Sequence, residues 1–202
     1  MGYVAILRRI RNGRTNYRKR AALILSRRKF ITITISDENI HVQVAYTMSK
    51  GDVTVTSSHS RELTKYGWNG SLNSIPACYL TGLLLGKKCL QRGIDEAILY
   101  TGKNSFTSRM AACLKGIIDS GVKVPASDSS FPTEDRILGK HIAEYARILQ
   151  EESTEVYNSH FSRLVENKFN PIEYPTYVQK VKETIVSTIG TGSSEEAREG
   201  IV

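Results

Sequence analysis

The chain has 202 residues, 40% hydrophobic and 24% charged, enough for one domain with a core and some appendages. Its apolar runs fall short of the roughly 18 residues a membrane span needs. Arginines begin at Arg8, against a secretory leader, and Cys78, Cys89 and Cys113 form no Cys-x-x-Cys pair, against a disulfide framework or a zinc ribbon. The net charge of +8 is concentrated: residues 1–36 hold ten of the 28 basic residues and no acidic one, leaving 18 basic and 20 acidic residues in 37–202.

Residues 1–29 read as a basic arm with at most a short helix around Arg18–Leu25. Phe30-Ile-Thr-Ile-Thr-Ile35 alternates strictly and predicts a strand. Ser36–Asn39 forms a turn, Ile40–Tyr46 alternates again, Lys50-Gly51-Asp52 turns the chain back, and Val53–Thr56 completes an antiparallel meander. Ser74 and Pro76 open a helix with Tyr79, Leu80, Leu83, Leu84 and Leu90 on its apolar face, and Gly93 closes it. Ala97–Tyr100 is a short strand, Phe106–Ser120 a second helix, and Val122–Val124 a candidate last strand. The order βββαβα(β) favours a mixed sheet covered by helices, with the strand after the crossover helix lying parallel beside the first strand. That is an α/β fold with a ribonuclease-H-like sheet: a three-stranded antiparallel meander plus one or two parallel strands.

Pro125–Pro132 is a polar loop. Thr133 is placed to cap a helix carrying Ile137, His141, Ile142, Tyr145 and Leu149. A further helix holds Tyr157, Phe161, Leu164 and Val165, Asn170-Pro171 and Tyr174-Pro175 break the chain, and a last helix holds Val178, Val181 and Ile185. The expected organisation is a basic arm over 1–29, an α/β domain over 30–132, a helical extension packed on it over 133–189, and a flexible tail over 190–202.

The strongest chemical signal runs from Arg8 to Arg20: Arg8, Arg9, Arg11, Arg14, Arg18, Lys19 and Arg20 around Gly13, Thr15, Asn16 and Tyr17. Arginines pair with phosphates, Tyr17 offers a stacking surface, and Thr15 and Asn16 can donate to phosphate or a 2′-hydroxyl. Charge alone does not separate RNA from DNA. A second feature, Ser57–Leu63 followed by Lys65–Gly70, places His59, Arg61, Lys65, Tyr66 and Trp68 between the third strand and the first helix. Two readings stay open there: a recognition loop, or a Trp68 that covers the sheet edge. Gly82–Lys87 lacks the spacing and the Ser/Thr of a phosphate-binding loop, so Gly82 and Gly86 are expected to let the helix approach the sheet. Histidines and cysteines show no metal-ligand spacing, and no metal or cofactor is expected. A metal-dependent nuclease would want a carboxylate inside the first strand, which has none.

These motifs resemble the archaeal and eukaryotic branch of the L-eighteen family of large-subunit ribosomal proteins. The likeness rests on Gly13–Tyr17 with Arg18–Arg20, Ser58–Leu63 with Lys65–Trp68, Pro76–Gly82 with Gly86–Lys88, and Leu114–Gly116 with Asp119–Gly121. It continues through Val124-Pro125, Glu134–Arg136, Gly139–Ile142, Tyr157, Phe161 and Ser162. The resemblance implies a non-catalytic protein of the central protuberance that binds 5S rRNA through the arm, with His59, Arg61, Tyr66 and Trp68 also near RNA. It further implies contact with large-subunit rRNA and with neighbouring ribosomal proteins, including a second 5S-associated protein, and no membrane. One stretch departs from the family: Thr34, Ile35, Asp37 and Glu38 stand where a basic pair and a basic turn residue are usual, so RNA contact is not expected at the first hairpin. Tyr3–Leu7, short and apolar, is expected to pack on protein. A nucleic-acid-binding module outside the ribosome and a nuclease are the competing readings.

Overall fold

A computed structural model describes residues 6–48, 51–102 and 104–190. The expected tail over 190–202 falls almost wholly outside them, as do Lys50 and most of Tyr3–Leu7. The alternation of Ile with Thr produces β1 (Phe30–Ile35), β2 spans Ile40–Met48, and β3 spans Gly51–His59. Before them lie α1 (Arg8–Arg11) and α2 (Tyr17–Ser26). The sheet order is β3-β2-β1-β4, with antiparallel pairing except for β4 (Ile98–Leu99), which lies parallel to β1. This is the expected mixed sheet.

β3 is longer than expected at both ends. Gly51 and Asp52 pair with Met48 and Thr47, and Ser57, Ser58 and His59 pair with Gln43, Val42 and His41. The first part of the supposed loop is therefore strand, because its serines alternate between a buried and an open face as regularly as valines would. The candidate strand at Val122–Val124 is reduced to one parallel bridge, Glu96 to Lys123, where two backbone hydrogen bonds close and the chain turns away.

α3 (Ile75–Gln91) is capped by Ser74 and buried almost all round from Pro76 to Gly86, so its apolar residues are more than one face. It packs on β2 and β3, on α4 (Ser108–Asp119) and on α9 (Tyr174–Gly190). The partner that Gly82 and Gly86 admit is α4 and not the sheet: a Cβ at Gly82 would overlap the Cys113 carbonyl, and one at Gly116 would overlap the Tyr79 carbonyl. Three small residues thus bring two helix backbones into direct contact.

The helix expected after Thr133 is split. Gly139, at φ 78°, ends α5 (Glu134–Leu138) and starts α6 (Lys140–Glu152), and Thr133 forms no side-chain cap bond. The next helix is likewise two, α7 (Thr154–His160) and α8 (Ser162–Glu166). Tyr174-Pro175 opens α9 instead of breaking the chain, since proline is compatible with a first helical turn. Phe169, Tyr174, Val178, Val181 and Ile185 join the same core as Ile31, Val42, Leu80 and Leu84, while Ala146, Leu149 and Phe161 form a small satellite cluster.

Candidate nucleic-acid interface

The arm is built by local hydrogen bonds. Gly13, at φ 59°, lets the chain reverse after α1, with Gly13 N–H donating to Ile10 O at 2.7 Å and Arg14 N–H to Arg9 O at 2.8 Å. Arg9 Nε donates to Thr15 Oγ1 at 2.8 Å, so part of the hydroxyl's capacity serves the arm itself. Asn16 caps α2 by accepting from Lys19 N–H at 3.1 Å. Arg8, Arg9, Arg11, Arg14, Arg18 and Lys19 are all exposed, and none enters an ion pair among the described residues. Tyr17 is exposed at the first turn of α2, a turn with no acidic residue. Free N–H groups and unpaired cations thus meet at one helix end, a favourable setting for phosphate.

Arg20 plays a different part from its neighbours. Its guanidinium forms a bidentate pair with Asp52 on β3, both bonds 2.6 Å, and that pairing raises its pKa further. With Leu23 packed on Phe30 and Ala45, and Phe30 edge-on to Tyr100, it fastens α2 to one end of the sheet. The cation is held by protein, so Arg20 anchors the arm and is not open to phosphate in this arrangement.

Beyond α2, the sheet face opposite α3 is uncovered. Register places Thr34, His41 and His59 in one row and Thr32, Gln43 and Ser57 in the next, all exposed or half-buried. Every one of these side chains carries a hydrogen-bonding group and none is acidic. The Gln43 amide lies 3.4 Å from the His41 ring nitrogens, and the His41 and His59 rings are 5.8 Å apart. The sequence reading missed this surface, although Thr32 and Thr34 alternating with isoleucines already marked a polar face.

At the far corner, His59 starts a 3-10 turn (Ser60–Tyr66). Its Nδ1 accepts from Arg61 N–H at 3.1 Å, while Glu62 accepts from His59 N–H at 3.1 Å and from Lys88 Nζ at 2.5 Å. Lys88 also donates to Ser57 O at 3.1 Å, and Arg92 to Val55 O. The corner is therefore rigid. Burial, then His41 and Arg61, lowers the His59 pKa, and burial followed by Glu62 raises that of Tyr66. Arg61 is exposed, and Asp37 and Glu38 share its shallow cavity, so the acidic hairpin tip offsets its charge.

Trp68 requires a correction. It is fully buried, its ring 5.5 Å from both Phe169 and Tyr174, and its Nε1–H donates to Ser71 O at 3.2 Å. An indole so enclosed has no face left for a base, so Trp68 holds the corner in place from within. The polar sheet face therefore runs from α2 at one end to His59 at the other, while Arg61 lies beside the acidic hairpin tip and Tyr66 packs on the main core. Among the described residues, no three His, Cys, Asp or Glu side chains gather as a metal site would need.

Comparison with known proteins concerns the whole chain. Residues 2–107 match the family model described as ribosomal large subunit proteins 60S L5 and 50S L18. The large ribosomal subunit protein uL18 of Aeropyrum pernix is 40% identical over 201 residues, covering 98% of this chain and 94% of that protein. The protein of the same name from Thermofilum pendens is 40% identical over 185 residues, covering 91% of this chain and 94% of its own length.

Proposed function

We infer the function from one premise: the chain belongs to the family of ribosomal large-subunit proteins 60S L5 and 50S L18, the uL18 family. It is a ribosomal protein of the large subunit and not an enzyme, and neither a nuclease nor a module outside the ribosome finds support. Within that frame we propose that it binds 5S rRNA and helps attach it to the large-subunit rRNA. The observation that carries this is the group of six exposed cations, Arg8 to Lys19, without an acidic partner. They lead onto a sheet face rich in hydrogen-bonding side chains.

Division of labour follows from chemistry. The arm cations neutralise phosphates, and that term is long-ranged and salt-sensitive. Tyr17 stacks on an unpaired base. Thr32, Gln43, Ser57 and His59 have neutral donors and acceptors suited to riboses and phosphates, where specificity of shape is read. Asp37 and Glu38 mark where the RNA path ends, because phosphates are repelled there. A second 5S-associated protein and other ribosomal proteins complete the proposed surroundings.

The test compares binding of the full chain to 5S rRNA and to an unrelated structured RNA of equal length, across a salt titration. A preference for 5S rRNA that survives at physiological salt is expected. Equal affinities that fade together would refute the 5S assignment while leaving the family untouched.

A further inference from the structure

The elbow between α6 and α7 carries apolar surface that the fold does not cover. Tyr145 and Ile148, three residues apart on α6, are 45% and 51% exposed, and Val156 on α7 is 52% exposed. The rings of Tyr145 and His160 meet edge-on at 5.4 Å, which joins the two strips across the elbow. Beneath them Ala146, Leu149 and Phe161 already close the local core. Tyr145 also packs edge-on to Phe161 of that core at 6.4 Å, so its outer edge, Ile148 and Val156 form the exposed part, and contiguous apolar surface of this kind marks a contact.

Charge selects the occupant. From 141 to 161 the chain has four acidic residues, Glu144, Glu151, Glu152 and Glu155, and a single Arg or Lys, Arg147. The side chains of Glu151, Glu152 and Glu155 enter no ion pair among the described residues. Helical spacing sets Glu152 in line with Ile148 and Tyr145, with Glu151 and Glu144 alongside. Such a surface repels phosphates, so in a particle made largely of RNA it is the wrong face for rRNA. A segment that alternates cations with apolar side chains would satisfy both of its features.

We propose that the α6–α7 elbow is the docking site for a Lys/Arg-rich, apolar-bearing segment of a neighbouring large-subunit protein. This rests on the chain being a ribosomal protein and is independent of the 5S assignment. Such a site serves two ends: it holds a basic extension away from RNA that it would otherwise bind, and it ties the helical extension into the assembled subunit.

The experiment uses large subunits assembled with the full chain, in which Ile148 or Val156 is replaced by the photo-crosslinker p-benzoylphenylalanine. Tyr17 replaced in the same way reports on the arm, and mass spectrometry verifies that each chain is incorporated. The elbow probes are expected to crosslink to a Lys/Arg-rich stretch of another ribosomal protein. Charge reversal by Glu151→Lys, Glu152→Lys and Glu155→Lys in the same chain should cut the yield about tenfold, as expected when several complementary charges are inverted. Crosslinks to rRNA, crosslinks to a second copy of this chain, an absence of crosslinks from an incorporated chain, or a yield indifferent to charge reversal would each overturn the proposal. Loss of rRNA crosslinks from the Tyr17 probe alone would count against the arm and leave the elbow standing.

Discussion

The arm and the helical extension solve opposite problems with the same chain. In the arm, α1 and the first turn of α2 bury almost nothing, and among the described residues Leu23, Arg20 and their partners hold α2 to the sheet. In the extension, Phe169, Tyr174, Val178, Val181 and Ile185 are buried in the main core around Trp68 and α3. One region spends its residues on charge and needs a polyanion to stop its self-repulsion. The other spends them on burial in the shared core. Stability and RNA affinity should therefore be separable by mutation, and that separation can be attacked from either side.

The largest effect is expected at Trp68. Removing its ring leaves a cavity lined by Phe169 and Tyr174 and frees the Ser71 carbonyl, so Trp68→Ala should cost about 3–5 kcal/mol in denaturant unfolding. Wherever the variant is still folded, the salt slope of its RNA binding should equal that of the parent. A changed slope in a folded Trp68→Ala protein would mean that the corner itself touches phosphate.

Next comes the reverse experiment. Arg11, Arg14 and Arg18 are exposed and enter no ion pair among the described residues, so replacing all three with Ala should change stability by less than about 0.5 kcal/mol. The slope of log affinity against log salt should fall by about 2–2.7 if each meets one phosphate. An unchanged slope would remove the arm from the interface and leave the sheet face as the binding surface.

Much of this contrast was legible in the sequence, and the gaps have physical causes. Strict alternation gave β1 and β2, and the apolar spacing gave α3, because burial on one or both sides dictates those patterns. The arm was visible because ten cations fall in residues 1–36 without a single acidic residue among them. Arg20 was indistinguishable from Arg14 and Arg18, because its partner Asp52 lies 32 residues away and only the docking of α2 on β3 joins them. Trp68 was misplaced among the recognition residues for a similar reason: Phe169 and Tyr174, which enclose it, come from the far end of the chain. The break at Gly139 was missed because apolar spacing carries on across it, and only a left-handed backbone distinguishes two helices from one.

Arg20 offers a sharper, smaller test of the boundary between the two regions. As an anchor, Arg20→Ala should lower stability by about 0.5–1 kcal/mol, the range for a partly exposed pair of good geometry. Hydrogen exchange should report it as faster opening of the α2 amides, with the salt slope unchanged. A fall in slope of about 0.7–0.9 would instead count Arg20 among the phosphate contacts.

The smallest effect is expected at His59, where the corner joins the sheet face. His59 accepts from Arg61 N–H through Nδ1, a bond that only the neutral ring can make, and burial, His41 and Arg61 together lower its pKa against the opposing pull of Glu62. In the unfolded chain the ring takes its proton near pH 6.5. As pH falls below that value the unfolded state binds the proton before the folded state does, so stability is complete above about pH 6.5 and declines as pH falls through the lower folded value. His141, whose pKa is also lowered by burial, contributes with the same sign. His59→Asn keeps an acceptor at the cap and removes the titration, so the loss of stability between neutral and mildly acidic pH should shrink without vanishing. If the pH dependence of unfolding is the same in both proteins, the cap bond to Arg61 is not what holds this corner. The corner would then be held by Glu62, Lys88, Arg92 and the buried Trp68.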